Sequence, residues 1–144
     1  MVTTIRNRIP KLMEQLLVLK RDFPSSTGNV RKNQLHWIVS LQPTSLSEEY
    51  KVRLEYSIEK SPRVFVEKPK LLKRGEARIP HRYSDDSLCL YLPSAKEWEK
   101  SMYLADSIVP WTVEWLFHYE LWHATGEWHG GGGHPGDTTK NRIS

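Results

Sequence analysis

The first periodic apolar residues along the chain have the spacing of a helix, with four of them at intervals of three or four residues. These four are Leu12, Leu16, Leu19 and Phe23. Such spacing places side chains on one face of a helix, and Pro10 suits a first helical turn. Pro24 and the serines and glycine that follow it are residues that end helices. The pattern therefore predicts an amphipathic helix over residues 9–23.

Apolar and polar residues alternate in the next part of the chain, which is typical of half-buried β-strands. The alternating segments are residues 34–42, 50–57 and 63–67. Prolines and serines between them supply turn residues, so short connections between neighbouring strands are expected. The pattern therefore predicts a short antiparallel meander of three strands.

Helical signals return after residue 93. Ser94 and Glu97 have the spacing of a capping box, which predicts a helix from there to about Ser107. Pro110 suits the first turn of a second helix, whose aromatic residues recur at near-helical spacing and which Gly126 would end. The fold class predicted from these elements is α+β, a single domain over residues 1–144 with a Gly-rich segment from about residue 128.

Composition narrows the class of protein. The 144 residues are 38% hydrophobic and 26% charged, as in ordinary globular domains. No apolar run approaches the roughly 20 residues of a membrane span. A single cysteine excludes an internal disulfide, which fits a cytoplasmic location. The net charge of +4 comes without an aromatic-interleaved basic stripe, so a nucleic-acid-binding domain is a less favoured alternative.

That single cysteine, Cys89, is the candidate nucleophile. It follows a polar, turn-like segment, residues 80–87, and lies within the apolar run of residues 88–92. A thiol at such a junction can face solvent and still be held rigidly, which a nucleophile requires. The alternative is that Cys89 is a small hydrophobic residue of the core.

His81 precedes Cys89, Leu90 follows it and Trp98 lies shortly downstream. In these positions the chain resembles the ubiquitin-conjugating enzymes. The C-terminal part has a pattern of tryptophans and glycines: Pro110-Trp111, Trp115, Trp122, Thr125-Gly126, Trp128 and Gly130 to Gly133. With this pattern the chain resembles more closely the small E2-like proteins of short type II CBASS anti-phage systems.

The resemblance implies a UBC-like fold with an N-terminal helix, a meander, a cysteine loop and C-terminal helices. It also implies that Cys89 accepts the C-terminal acyl group of a partner protein as a thioester and passes it to an amine. The acyl donor would be a cyclic-oligonucleotide synthase (CD-NTase), and the acceptor a lysine-bearing protein target. The alternative is a non-catalytic module of the same fold that binds protein and keeps Cys89 buried.

Two departures from the family pattern concern the site and the sheet. The usual His-Pro-Asn is here His81-Arg82-Tyr83, so the asparagine that stabilises the oxyanion has no counterpart. Tyr83 is a candidate substitute through its hydroxyl, or else a packed loop aromatic. His81 is either a general base or a structural histidine that shapes the loop. The predicted meander is also shorter than the four strands of the family.

The sequence predicts neither a metal site nor a cofactor. His118 and His123 are five residues apart, which puts them on different faces of a helix, and His129 and His134 flank the glycine run without a second cysteine. The glycine run lacks the lysine and the strand-to-helix context of a phosphate-binding loop. Without an ATP site the chain cannot activate a free carboxylate by itself.

Overall fold

An antiparallel sheet follows the first helix in this computed structural model, which describes residues 8–130. The elements are helix α1 (Leu12–Asp22), strands β1 (Thr27–Arg31), β2 (Gln34–Leu41), β3 (Tyr50–Ser57) and β4 (Lys60–Lys68), and helix α2 (Ile108–Thr125). The four strands pair in sequence order, each antiparallel to the next. This arrangement confirms the α+β class.

The core forms on the face of the sheet that the alternating apolar residues share. On β2 and β3 every second side chain is buried: Leu35, Trp37, Val39, Leu41, Tyr50, Val52, Leu54 and Tyr56. Leu16 and Leu19 of α1 join this core, and α1 packs against β1 and β2. Removing these apolar surfaces from water is the main force that holds the helix to the sheet.

The predicted three-strand meander was wrong by one strand. Strand β1 escaped prediction because Val30 is its only apolar side chain, so the segment shows no alternation. The edge position of β1 explains this composition, since most of its residues are exposed. Lys32 and Asn33 join β1 to β2 with φ of 51° and 61°, the left-handed backbone of a tight hairpin turn. The sheet thus has four strands, and that departure from the family pattern disappears.

The helix predicted over residues 94–107 does not form, so a single C-terminal helix replaces the expected pair. Ser94 lies in one 3-10 turn, Pro93–Ala95, and the carboxylate of Glu97 accepts the N–H of Leu92 at 2.9 Å. Trp98 explains the difference, because its ring packs edge-on against Tyr56 of β3 with centroids 5.5 Å apart. Burial of a large ring against the sheet outweighs a local capping signal.

Helix α2 begins and ends as the sequence predicts. Its first turn contains Pro110, and Gly126 closes it with a left-handed φ of 88° and an N–H bond to the carbonyl of Trp122 at 2.7 Å. The Gly-rich segment falls mostly in residues 131–144, which lie outside the described residues. Within residues 8–130, neither helix is long and apolar enough to traverse a membrane.

Gln15 fixes the approach to α2. Its side chain is 1% exposed, donates to the carbonyl of Met102 at 3.0 Å and accepts the N–H of Leu104 at 2.9 Å. Because Leu104 opens the 3-10 turn just before α2, this pair of bonds ties the start of α2 to α1. One face of α2 lies beside Cys89, so the position of α2 shapes the surroundings of this candidate nucleophile.

Candidate active site around Cys89

Cys89 lies in a segment without helix or strand that is clamped from two sides. The N–H of Leu88 donates to the carbonyl of Val64 on β4 at 2.9 Å. On the other side the indole N–H of Trp115, from α2, donates to the carbonyl of His81 at 3.0 Å. That same carbonyl accepts the N–H of Cys89 at 2.9 Å. The backbone at Cys89 is therefore fixed between the sheet and α2.

The polar segment before the cysteine forms a turn. The N–H of Tyr83 donates to the carbonyl of Ser87 at 2.9 Å, and Asp85 accepts the N–H and the hydroxyl of Ser87 at 2.9 and 2.6 Å. These bonds from Ser87 are the main cause of the lowered pKa of Asp85. The carboxylate of Asp85 also accepts a hydrogen bond from the guanidinium of Arg63 on β4, at 2.8 Å. The carboxylate of Asp85 therefore stabilises the turn before Cys89 and ties it to β4.

The thiol of Cys89 is 1% exposed, so the expectation that it faces solvent was wrong. Burial raises the pKa of the thiol above its ordinary value, and Glu97 adds to the increase. A side-chain hydrogen bond with Tyr83 acts in the opposite direction. At neutral pH the sulfur is consequently a thiol rather than a thiolate.

Tyr83, which lies in the turn before the cysteine, forms a side-chain hydrogen bond with the sulfur of Cys89. Burial raises the pKa of its hydroxyl, and the bond with Cys89 raises that pKa further. The hydroxyl therefore keeps its proton at neutral pH and acts as a donor. The thiol also contacts the carbonyl oxygen of Tyr91, at 3.7 Å from Sγ.

His81 contributes its backbone and its ring in different ways. The residue is 5% exposed, and its backbone has a left-handed φ of 56°. Its carbonyl is the shared acceptor that holds Cys89 and Trp115. Its ring lies against the ring of Trp128, with centroids 4.9 Å apart. These contacts favour the structural interpretation of His81, while its role as a general base stays a prediction.

A small cavity of about 30 Å³ adjoins Cys89. Its walls are Cys89, Leu90, Trp111, Glu114, Trp115, His118 and Trp128. Sequence reasoning missed His118 and Trp128 as neighbours of the cysteine. Trp111, Trp115 and His118 follow the three-to-four spacing of one helix face, a signal that becomes useful only when that face is known to meet Cys89.

The segment after α2 covers this cavity. The ring of Trp128 lies 5.2 Å from that of Trp115 and 6.2 Å from that of His118. Gly130 sits so close to α2 that a Cβ there would lie 2.5 Å from Cδ2 of His118. Glycine is thus required for this close approach, and the segment from Trp128 to Gly130 forms part of the cover over Cys89.

We expect Trp128→Ala to speed the alkylation of native Cys89 by about tenfold. Alkylation requires local opening of the segment over the thiol, and removing the indole should make the free energy of that opening less unfavourable by ~1.4 kcal/mol, which is a factor of ten. Iodoacetamide labelling followed by intact mass at neutral pH measures the rate. Phe65→Ala is the matched control, since Phe65 is a half-buried aromatic on β4 that does not line the cavity. Equal rates in wild type and Trp128→Ala would contradict the covering role.

No three histidine, cysteine or acidic side chains within residues 8–130 come together in a way that could hold a metal ion. His129 instead lies 3.2 Å from Glu127. His134, one of the four histidines considered from the sequence, falls outside the described residues.

A comparison with known families identifies the chain. The family model described as Type II CBASS E2 protein matches residues 15–135, which covers most of the 144 residues. No curated protein matches significantly. The family match confirms the resemblance drawn from the residues around Cys89 and the C-terminal tryptophans. The chain therefore belongs to the family of type II CBASS E2 proteins.

Proposed function

We propose that this chain is an E2-like acyltransferase with a UBC-like fold, in which Cys89 carries the acyl group as a thioester. The observation that carries the proposal is the pairing of Cys89 with Tyr83, a nucleophile and a protonated donor, on a backbone clamped between β4 and α2. A fixed backbone at the nucleophile holds the reacting atoms in one geometry, which is a large part of enzymatic rate enhancement.

Two acyl transfers make up the proposed reaction. In the first, the thiolate of Cys89 attacks the carbonyl carbon of the donor, the C–S bond forms, and the bond to the leaving group breaks. The leaving group is the thiol of an activating enzyme, the AMP of an acyl adenylate, or the amine of a cleavable peptide bond. In the second transfer, a neutral lysine amine attacks the thioester, the C–N bond forms and the C–S bond breaks. The proton that the amine loses balances the one that regenerates the thiol of Cys89.

Tyr83 takes the place of the missing asparagine in this proposal. Its hydroxyl already bonds to the sulfur, so it lies within reach of the oxygen that becomes negative when the sulfur adds to a carbonyl. Because its pKa is raised, the hydroxyl still carries a proton to donate. Loss of one such donor raises barriers by roughly 3–4 kcal/mol in other enzymes. His81 supports the reaction by holding Cys89 through its carbonyl.

The proposed path of the donor is a groove of about 400 Å³ that is lined by both chain neighbours of Cys89. Its lining includes Tyr83, Leu88, Leu90 and Tyr91, with Arg63 at the β4 side. An extended C-terminal segment fits such a groove better than a folded surface does. Membership of the type II CBASS E2 family supports a partner within CBASS. The proposed donor is the cyclic-oligonucleotide synthase (CD-NTase), and the proposed acceptor is a lysine-bearing protein.

The second candidate function is a non-catalytic protein-binding module. The 1% exposure of Cys89 favours it, because a working nucleophile must be reached by its donor. The two candidates differ in what surrounds the sulfur in solution. The acyltransferase requires the thiol of Cys89 to become accessible to its donor, whereas the binding module requires only that the core stay packed.

Co-expression with the candidate synthase tests the proposal. Intact mass of the wild-type chain, recorded before and after treatment with dithiothreitol, should show a mass increment that the thiol reagent removes. A thioester is cleaved by added thiols, whereas an amide is not. A chain that carries no increment, together with Cys89 that resists alkylation in the native state, would favour the binding module instead.

A further inference from the structure

The cavity beside Cys89 links the thiol to an imidazole. Cys89 and His118 both line it, and the remaining walls are mostly tryptophan and leucine. Its volume of about 30 Å³ is enough for one water molecule. Because Cys89 and His118 both line this space, a single water there can bridge the thiol and the imidazole and provide a path for a proton.

His118 has a ring nitrogen, Nδ1, that can accept a proton. Its Nδ1 is buried and has no hydrogen-bond partner among the described residues. A buried polar atom without a hydrogen-bond partner lowers the free energy of unfolding by about 1–3 kcal/mol, so an unpaired Nδ1 indicates a functional role. Burial lowers the pKa of this imidazole, and His129 acts in the same direction while Glu114 opposes it. The ring is therefore neutral at neutral pH, and with its proton on Nε2 the lone pair of Nδ1 is available.

Cys89 in turn needs a base. Burial raises the pKa of its thiol, so the reactive thiolate is scarce at neutral pH. The titratable groups around His118 are Glu114 on the same helix, His129 on the following segment and Glu127, which pairs with His129 at 3.2 Å. Glu114 is exposed, and a solvated carboxylate is ordinarily a weaker base than an imidazole.

We propose that His118 accepts the proton of the Cys89 thiol, through a water molecule in the shared cavity, when the thiolate forms. This role rests on the acyl transfer proposed above. The S–H bond breaks with its electron pair left on sulfur, and the proton arrives at Nδ1 to give an imidazolium. The thiolate then attacks the donor carbonyl, and the imidazolium returns its proton to the leaving group, so the ring ends the step neutral.

The test compares His118→Asn with wild type by alkylation of Cys89, in the absence of any acyl donor. Asparagine places an amide oxygen near the position of Nδ1 and accepts a hydrogen bond, but it takes up no proton at neutral pH. We expect the labelling rate at pH 7 to fall by about tenfold or more, since a positioned base is typically worth 10²–10⁴. Near pH 10 the rates should agree within about twofold, because hydroxide then forms the thiolate directly.

His123→Asn is the matched control, because His123 lies on the same helix, is exposed and does not line the cavity. It should label like wild type at both pH values. Equal rates for His118→Asn and wild type at pH 7 would overturn the proposal. A rate that changes by the same factor at both pH values would also overturn it, because loosened packing rather than a lost base would then be the cause.

The labelling experiment separates this inference from the proposed function. If His118→Asn slows labelling only near neutral pH, His118 serves as the base of the thiol whatever the donor is. If the wild-type chain forms a thiol-labile adduct with the synthase while His118→Asn is alkylated at the wild-type rate, acyl transfer is supported and the role of His118 as a base is refuted.

Discussion

Cys89→Ser is expected to convert the thiol-labile adduct into one that resists dithiothreitol and yields to alkaline hydroxylamine, while Cys89→Ala is expected to carry no adduct. The serine hydroxyl can accept the same acyl group, but the product is an oxyester, which amines attack far more slowly than a thioester. The intermediate should therefore accumulate on serine. Intact mass after co-expression with the synthase, with and without each reagent, distinguishes these three states.

Both substitutions should leave the fold intact. The thiol contacts Tyr83 and the carbonyl of Tyr91, and neither contact joins elements of the fold. The cost of either change should therefore stay near 1 kcal/mol, the centre of the range for single substitutions. Circular dichroism and urea unfolding provide the check. An adduct that persists in Cys89→Ala would show that another side chain is the nucleophile, and would contradict the assignment of Cys89.

Trp115→Ala is expected to lower the free energy of unfolding by about 3–5 kcal/mol, the usual range for a large aromatic removed from a core. Trp115 is 4% exposed and its ring is stacked on that of Tyr119, at 5.8 Å and an interplanar angle of 7°. Its indole N–H also anchors the carbonyl of His81 at 3.0 Å. Urea unfolding followed by tryptophan fluorescence or circular dichroism measures the change.

Two companion variants separate the contributions of Trp115. Trp115→Phe keeps most of the apolar area but removes the donor to His81, so a loss of about 1–3 kcal/mol is expected. Phe117→Ala alters an aromatic of the same helix that is 37% exposed, and should cost clearly less than Trp115→Ala. If Phe117→Ala and Trp115→Ala destabilise equally, the core position of Trp115 does not explain its effect.

Local pattern was sufficient for every helix and strand except β1, whose exposed residues show no alternation. The spacing of Leu16 and Leu19 predicted α1, and the alternation of residues 50–57 predicted β3 with its buried and exposed faces. Pro110 and Gly126 marked the two ends of α2. These signals work because the burial of one face follows from the period of the backbone itself, which is 3.6 residues in a helix and two in a strand.

Tertiary packing overrode local pattern at the segment before α2. Ser94 and Glu97 have the right spacing for a cap, yet the chain there forms only a 3-10 turn. Trp98 gains more from the groove between Tyr56 and Tyr91 than a helix could supply. The residues from 94 to 97 carry no information about Tyr56, which lies on β3, so the local capping signal was misleading.

The sequence alone indicated the family, a candidate nucleophile and two candidate loop residues near it, because these depend on which residue types stand in which order. It said nothing reliable about the environment of the sulfur. Burial of Cys89, the hydrogen bond from Tyr83, and the cavity shared with His118 and Trp128 arise only when β4, α2 and the segment after α2 meet. Solvent exposure and proton affinity depend on all neighbours in space, and those neighbours come from distant parts of the chain.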